Sequence, residues 1–164
     1  MATLPAGFKP AFTRIAQEES FDCIFACMAM LTNTTLKDIK KLAVEKFKHP
    51  KHGPYWVSET KIASILAHHG LVATVYKEFD SNPVPDVAIL MIDYDPESEL
   101  GRHVLFHRAS TPDTKGAIAR VEYVIDPAYW LEPTKHVHAD WKALKPAWWI
   151  GVHPMVVAPA TKFA

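Results

Sequence analysis

The hydrophobic positions in the first half of the chain follow helical spacing. The segment CIFACMAML (23–31) is apolar on every side, which is typical of a helix buried in the core. Two further segments place apolar residues every three or four positions, so one face packs and the lysines face water. Asp, Thr and Ser favour helix N-termini, and Gly favours helix ends. The predicted helices are 23–31 after Asp22, 36–47 after Thr35 with Asp38 completing a capping box, and 58–69 between Ser58 and Gly70.

Beyond Gly70 the pattern changes to short runs that are rich in β-branched and aromatic residues. Proline, glycine and aspartate separate these runs, as expected for turns. The predicted strands are 71–77, 86–93, 103–109, 120–126 and 146–157, with a short helical turn at 138–144. Helices followed by strands predict an α+β domain with an antiparallel sheet.

Composition and charge narrow the class of protein. The 164 residues are 49% hydrophobic and 22% charged, which fits a single domain over 1–164 with one core. The 18 basic and 18 acidic residues balance and the basic ones do not cluster, so no nucleic-acid partner is predicted. No apolar run could span a bilayer, and the N-terminus lacks the apolar core of a signal peptide. We therefore expect a cytoplasmic protein, or one exported without a cleaved signal peptide.

Cys23 is the candidate nucleophile. The thiolate is the reactive form of cysteine, and the start of a helix stabilises it through unpaired N–H groups and the macrodipole. Cys23 stands at the first position of the buried helix, directly after Asp22. The alternative is a small core residue, which is what we expect of Cys27 one turn further on. Two cysteines so close together do not form a disulfide framework for a domain of this size.

A histidine and a carboxylate that could serve this thiol meet in a predicted hairpin. The turn expected over 110–116 pairs residue 104 with 125 and sets His103 opposite Asp126. Side chains directly opposite each other are close enough for a hydrogen bond, which would fix the tautomer of the imidazole. His103 is therefore the candidate base and Asp126 the candidate orienting group.

The same register creates a competing pair, because it sets His107 opposite Glu122. We favour His103, whose pair lies at the open end of the hairpin, where a cleft can form. For either pair the alternative is an ordinary cross-strand contact on the surface.

Gln17 is a candidate for holding the oxyanion of a tetrahedral intermediate. Its amide, six residues before the nucleophile, could donate a hydrogen bond together with the backbone N–H of Cys23. Without further context, a glutamine in a polar stretch is more often a solvated residue.

Four motifs follow one another along the chain: Gln17, then Asp22-Cys23-Ile24-Phe25-Ala26-Cys27, then His103-Val104-Leu105, then Asp126-Pro127. This order resembles the papain-like cysteine peptidases that process double-glycine leader peptides of bacteriocins, and their freestanding relatives. In that family a glutamine precedes an Asp-Cys-Gly-x-Ala-Cys helix, and a His-x-Val strand and a closing Asp-Pro follow. The resemblance covers residues 12–152, which is nearly the whole chain.

The resemblance implies a papain-like fold with a buried N-terminal catalytic helix packed, with further helices, on an antiparallel sheet. The roles it implies are Gln17 as oxyanion donor, Cys23 as nucleophile, His103 as base, Asp126 as its orienter and Cys27 as a structural residue. The chain departs from the family at Ile24 and Phe25, where glycine and a small residue are usual. We therefore expect the groove beside the nucleophile to have a different shape.

These residues favour a cysteine hydrolase that cleaves a peptide bond through a thioester intermediate, with a peptide or protein as substrate. No cofactor and no metal site are predicted. The chain has no membrane span and no phosphate-binding glycine loop, so leader processing coupled to export is not expected. Two alternatives stay open: a bacterial effector toxin that deamidates or transamidates glutamine with the same triad, and a non-catalytic relative that binds a peptide.

Overall fold

The computed structural model describes residues 2–52, 56–112 and 115–156 and contains the three predicted helices. They are α1 (Cys23–Thr32), α2 (Leu36–Phe47) and α3 (Glu59–His68). The hydroxyls of Thr35 and Ser58 cap α2 and α3, since each accepts a hydrogen bond of 3.1 Å from an N–H of the first turn. None of the helices in these ranges is long and apolar enough to cross a bilayer.

Asp22 precedes α1 as predicted, but its side chain does not cap the helix. Its carboxylate accepts a hydrogen bond of 3.0 Å from the N–H of Glu19 and forms a 3.1 Å ion pair with Lys40 of α2. Asp22 therefore shapes the loop that leads into α1. The N–H groups of the first turn of α1 have no side-chain acceptor from the capping position.

The strands form one antiparallel sheet. They are β1 (Leu71–Ala73), β2 (Lys77–Glu78), β3 (Val87–Asp95), β4 (Leu100–Pro112), β5 (Ile118–Ile125), β6 (Val137–His138) and β7 (Trp148–Pro154). The order across the sheet is β1-β7-β3-β4-β5-β6, and β2 pairs with β7. The predicted strand 71–77 is thus split into β1 and β2. The helical turn predicted at 138–144 is a 3-10 turn at Trp141–Leu144. Of the last predicted strand, 146–157, residue 157 lies outside the described residues.

The two faces of the sheet pack against different parts of the chain. Ile89, Leu105 and Ile125 share one face and belong to the buried cluster that contains α1 and the inner sides of α2 and α3. Val104 and Phe106 face the opposite way, where Trp141 covers them. Because side chains alternate along a strand, each position of β4 is committed to one of these two environments.

The pairing of β4 with β5 differs by one residue from the prediction. Ile125 pairs with Leu105 rather than with residue 104, and the competing pair is separated too, since His107 pairs with Tyr123. The strands pair as far as Pro112 and Ile118, so five residues (113–117) connect them. The predicted turn was centred on a peptide bond, which requires an even number of connecting residues. A shift of one residue reverses the face of every side chain. His103 therefore faces the helices, and Asp126 lies on the other face.

The sheet face under the helices supplies a test of this packing. Ile89 is fully buried at the centre of the sheet, so I89A leaves a cavity and should lower the free energy of unfolding by about 2–5 kcal/mol. Ile118 is 78% exposed, so I118A should change it by less than about 0.5 kcal/mol. Urea denaturation of both variants measures the difference, and equal costs would contradict the layer arrangement.

Candidate active site

Cys23 and His103, which are 80 positions apart in sequence, meet where the first turn of α1 packs on β4. The Sγ atom of Cys23 lies 3.4 Å from Nδ1 of His103. The backbone N–H of His103 also donates to Sγ, at 3.3 Å. The residues are 5% and 8% exposed, so the pair is nearly closed off from bulk water. A thiol and an imidazole in this arrangement are placed for proton transfer from sulfur to nitrogen.

The charge state of Cys23 results from opposing effects. Burial is the largest and raises the pKa of the thiol, because a thiolate is poorly solvated there. The N–H groups of His103 and Ile24 and the positive charge of Arg102 act in the opposite direction on this pKa. The groups that would stabilise a thiolate are therefore already assembled around a thiol that burial keeps protonated at rest.

His103 is held from its other side by a tyrosine. The hydroxyl of Tyr76 lies 2.7 Å from Nε2 of His103, so both ring nitrogens have a partner. Burial lowers the pKa of His103 from 6.5 to about 4, which makes the ring a neutral imidazole near pH 7.

Asp126 does not make the contact predicted for it. It lies on the opposite face of the sheet, where its carboxylate accepts hydrogen bonds of 2.7 and 2.8 Å from Nη1 of Arg102 and one of 3.0 Å from the N–H of Ala128. Nε of Arg102 donates to Asp93 at 2.7 Å. Within the described part of the chain, the hydrogen bonds of the Asp126 carboxylate thus organise Arg102 and not His103.

Gln17 is 2% exposed, so it is not a solvated surface residue. Its Nε2 donates to the backbone oxygens of Glu19 and Ser20 at 2.9 and 3.1 Å, which uses both amide hydrogens. Its Oε1 is buried without a partner among the described residues. The amide fixes the loop that leads to Cys23, and it reaches an oxyanion only if it turns away from that loop.

A cleft of about 340 Å³ opens beside the buried pair. Ile24 lines it next to Cys23, whereas Phe25 points away and packs on His49, with ring centroids 5.2 Å apart. Of the two departures from the family pattern, Ile24 is thus the one that shapes the cleft. Its other apolar lining residues include Phe21, Trp56, Val57, Met91 and Leu100. The charged lining residues include the carboxylates Asp93, Asp95 and Glu99 and the cation Arg102, which pairs with Asp93.

Comparison with solved structures finds the same fold elsewhere. The crystal structure of a double glycine motif protease from an AMS/PCAT transporter, in complex with its leader peptide, matches with a TM-score of 0.56. The match covers 94% of this chain and 99% of that one, at 11% sequence identity. No family model matches the sequence, and no curated protein does. The likeness shows a shared α+β architecture, with helices packed on an antiparallel sheet as in papain-like proteins.

Two residues of the site, Tyr76 and Arg102, were not predicted from the sequence. Tyr76 was assigned only to a strand, and no residue near it in sequence indicates a contact with His103. Arg102 carries a stronger signal, because it directly precedes the candidate base and its charge is then bound to be close to the site. Its contact with Asp126 depends on the register of β4 and β5, which was predicted one residue out.

Removing the charge of Arg102 should raise the pKa of Cys23, because a cation near the sulfur favours the thiolate. R102Q leaves Asp126 buried without its cation, so R102Q/D126N is measured beside it. The pH dependence of Cys23 alkylation by iodoacetamide, read by mass spectrometry, should shift upward in both variants. The shift should be smaller in the double variant, because the charge of Asp126 raises the pKa of Cys23 and is lost there. R108Q is the matched control, since Arg108 lies on the same strand but pairs with Asp86. An unchanged profile in R102Q would contradict this influence.

Burial of His103 also predicts a pH dependence of stability. The pKa of His103 is lower in the folded state than its ordinary value of 6.5, so the unfolded chain binds this proton more readily. Protonation of His103 therefore does not affect the stability above about pH 6.5. As the pH falls towards 4 it lowers the free energy of unfolding, by about 3 kcal/mol once the histidine is protonated in both states. The loss of unfolding free energy between about pH 7 and 4.5 should be smaller in H103Q than in the wild type. H52Q, at an exposed histidine, should behave as the wild type.

Proposed function

We propose that this protein is a cysteine peptidase with Cys23 as nucleophile and His103 as general base. The observation that carries the proposal is the 3.4 Å approach of Sγ to Nδ1 at the wall of an open cleft. Arg102 adds support, because its charge favours the thiolate that the reaction needs.

The proposed reaction is acyl transfer in two halves. In the first, Nδ1 of His103 takes the thiol proton as Sγ attacks the carbonyl carbon, and the imidazolium then gives this proton to the leaving amine. In the second, Nδ1 takes a proton from water, which attacks the thioester and releases the acid and the thiol. We assign the oxyanion to the backbone N–H of Cys23, since the helix start has no side-chain cap.

The other two predicted site residues enter the proposal differently. The hydrogen bonds of Asp126 support a role in holding Arg102 near the sulfur rather than in orienting His103. Those of Gln17 support a role in setting the loop before Cys23. The assignment of Gln17 as an oxyanion donor stays a prediction.

The lining of the cleft and the likeness in fold favour a peptide as substrate. The double glycine motif protease with this fold was crystallised with a leader peptide. Here the cleft is lined, among the described residues, by apolar side chains and by three carboxylates against the one cation of Arg102, which suits a chain with apolar side chains and few acidic ones. From the lining of the cleft and the likeness in fold to the peptide-bound protease, we assign a peptide or protein substrate.

The test compares two cysteines of the same helix. C23A should abolish labelling by a thiol-reactive, amide-mimicking probe and lower hydrolysis at least roughly 1,000-fold, because the nucleophile is lost. C27A removes a fully buried sulfur and should retain both. Mass spectrometry of proteins treated with the wild type then separates backbone cleavage from conversion of glutamine to glutamate. Conversion without cleavage would assign the site to a deamidase, and labelling that survives in C23A would contradict the proposal.

A further inference from the structure

Tyr76 lies in the link between β1 and β2, and both sides of this link are attached to β7. On one side, the N–H of Thr74 donates to the oxygen of Gly151 at 2.9 Å, and the N–H of Gly151 donates to the Thr74 hydroxyl at 2.8 Å. On the other side, Lys77 pairs with Trp149. The backbone position of Tyr76 is thus fixed by the central sheet.

The side chain of Tyr76 is directed inward from this link. Val75 before it is 60% exposed, whereas the Tyr76 ring is partly buried and its hydroxyl reaches Nε2 of His103 at 2.7 Å. The two rings lie 6.2 Å apart at a tilt of 32°. The hydroxyl therefore contacts the imidazole through its edge, on the side away from the sulfur.

The chemistry of the base demands a partner at this position. To accept the thiol proton, His103 must present Nδ1 unprotonated to Sγ, and a neutral imidazole then carries its hydrogen on Nε2. A buried N–H needs an acceptor, and a hydroxyl oxygen has lone pairs for it. Burial raises the pKa of Tyr76, so its oxygen remains a neutral hydroxyl throughout the working range of a cysteine enzyme.

The carboxylate predicted for this task is committed elsewhere. Asp126 lies on the other face of the sheet and is bound by Arg102. Among the described side chains, those hydrogen-bonded to the His103 ring are Cys23 and Tyr76. The place of the orienting group is thus filled by a tyrosine.

We propose that Tyr76 is the positioning residue of His103: its hydroxyl oxygen accepts the Nε2 hydrogen and holds the ring in the tautomer that turns an unprotonated Nδ1 towards Cys23. This inference rests on the proposed function, and replaces the carboxylate of the predicted triad with a neutral acceptor. The proton taken from sulfur resides on Nδ1 and leaves from Nδ1, while the Nε2 hydrogen and the tyrosine proton stay in place. The hydrogen bond strengthens when the ring becomes an imidazolium, because its donor is then charged.

The test separates orientation of the ring from catalysis. Nitrogen NMR of the histidine side chains distinguishes the two neutral tautomers, and the signal of His103 is the one that disappears in H103Q. The wild type should show His103 with its hydrogen on Nε2. Y76F should lose this single tautomer, whereas D126N should keep it.

Kinetics with p-nitrophenyl acetate give the second readout, since acylation of Cys23 appears as a burst and hydrolysis of the thioester as the steady rate. In Y76F the steady rate should fall roughly 10- to 100-fold, the range for losing a hydrogen bond to a charged group. Y129F is the matched control, because it removes the hydroxyl of an exposed tyrosine, and should stay within about twofold of the wild type.

Two results would overturn the positioning role: a wild-type His103 protonated on Nδ1, or a Y76F variant with an unchanged tautomer and steady rate. A thermal melt followed by circular dichroism checks that Y76F is folded, and if it is not, the tautomer of the wild type decides. A wild type that the ester does not acylate would instead overturn the proposed function. The NMR arm needs no substrate, so the two failures are distinguishable.

Discussion

The packing of α1 against β4 is the contact on which the site depends. α1 is apolar on all sides, and its residues from Cys23 to Met30 are all buried. Such a helix gains most by lying across the centre of a sheet, which brings its first turn onto His103. The sulfur thereby contacts three groups: the backbone N–H of Ile24 in its own helix, the backbone N–H of His103 and the ring of His103.

The burial that assembles the pair also determines its charge. Burial raises the pKa of Cys23 and lowers that of His103 to about 4, so both effects favour the neutral thiol and the neutral ring. Tyr76 is neutral and adds no charge to the site, whereas the positive charge of Arg102 lowers the pKa of Cys23 and so opposes the effect of burial. Asp93 and Asp126 pair with that cation beside the cleft, so its field reaches the sulfur without a direct bond to it. The resting site therefore has a neutral thiol and a neutral ring, with the stabilising charge in the lining of the same cleft.

Local signals in the sequence were enough to predict the three helices and most of the strands, but not the long-range pairing of the strands. The caps at Thr35 and Ser58 and the helical spacing behind them are local, and they predicted α2 and α3 closely. His103 was chosen as the partner of Cys23 from its expected pairing with Asp126 and from the family resemblance; the two side chains do meet, although that pairing is absent. The register of β4 and β5 depends instead on one residue in their connection, and that residue decides the face of Asp126. Tyr76 reaches His103 only through the pairing of β1 and β2 with β7, which no local pattern contains.

The segment after β5 explains how an Asp-Pro pair can matter to this site without touching the base. The backbone oxygens of Asp126 and Ala128 accept hydrogen bonds of 2.7 and 2.8 Å from the Arg14 side chain. The backbone oxygen of Pro127 accepts one of 2.8 Å from the backbone N–H of Gln17. These bonds attach the N-terminal arm just before the loop to Cys23, while the Asp126 carboxylate holds Arg102. A substitution at Asp126 would remove the bonds of the carboxylate to Arg102 and to the N–H of Ala128, and so disturb both the nearby cation and the segment to which the arm is attached. Loss of activity in such a variant would look like loss of a triad member, although the orientation of His103 comes from the other side of its ring.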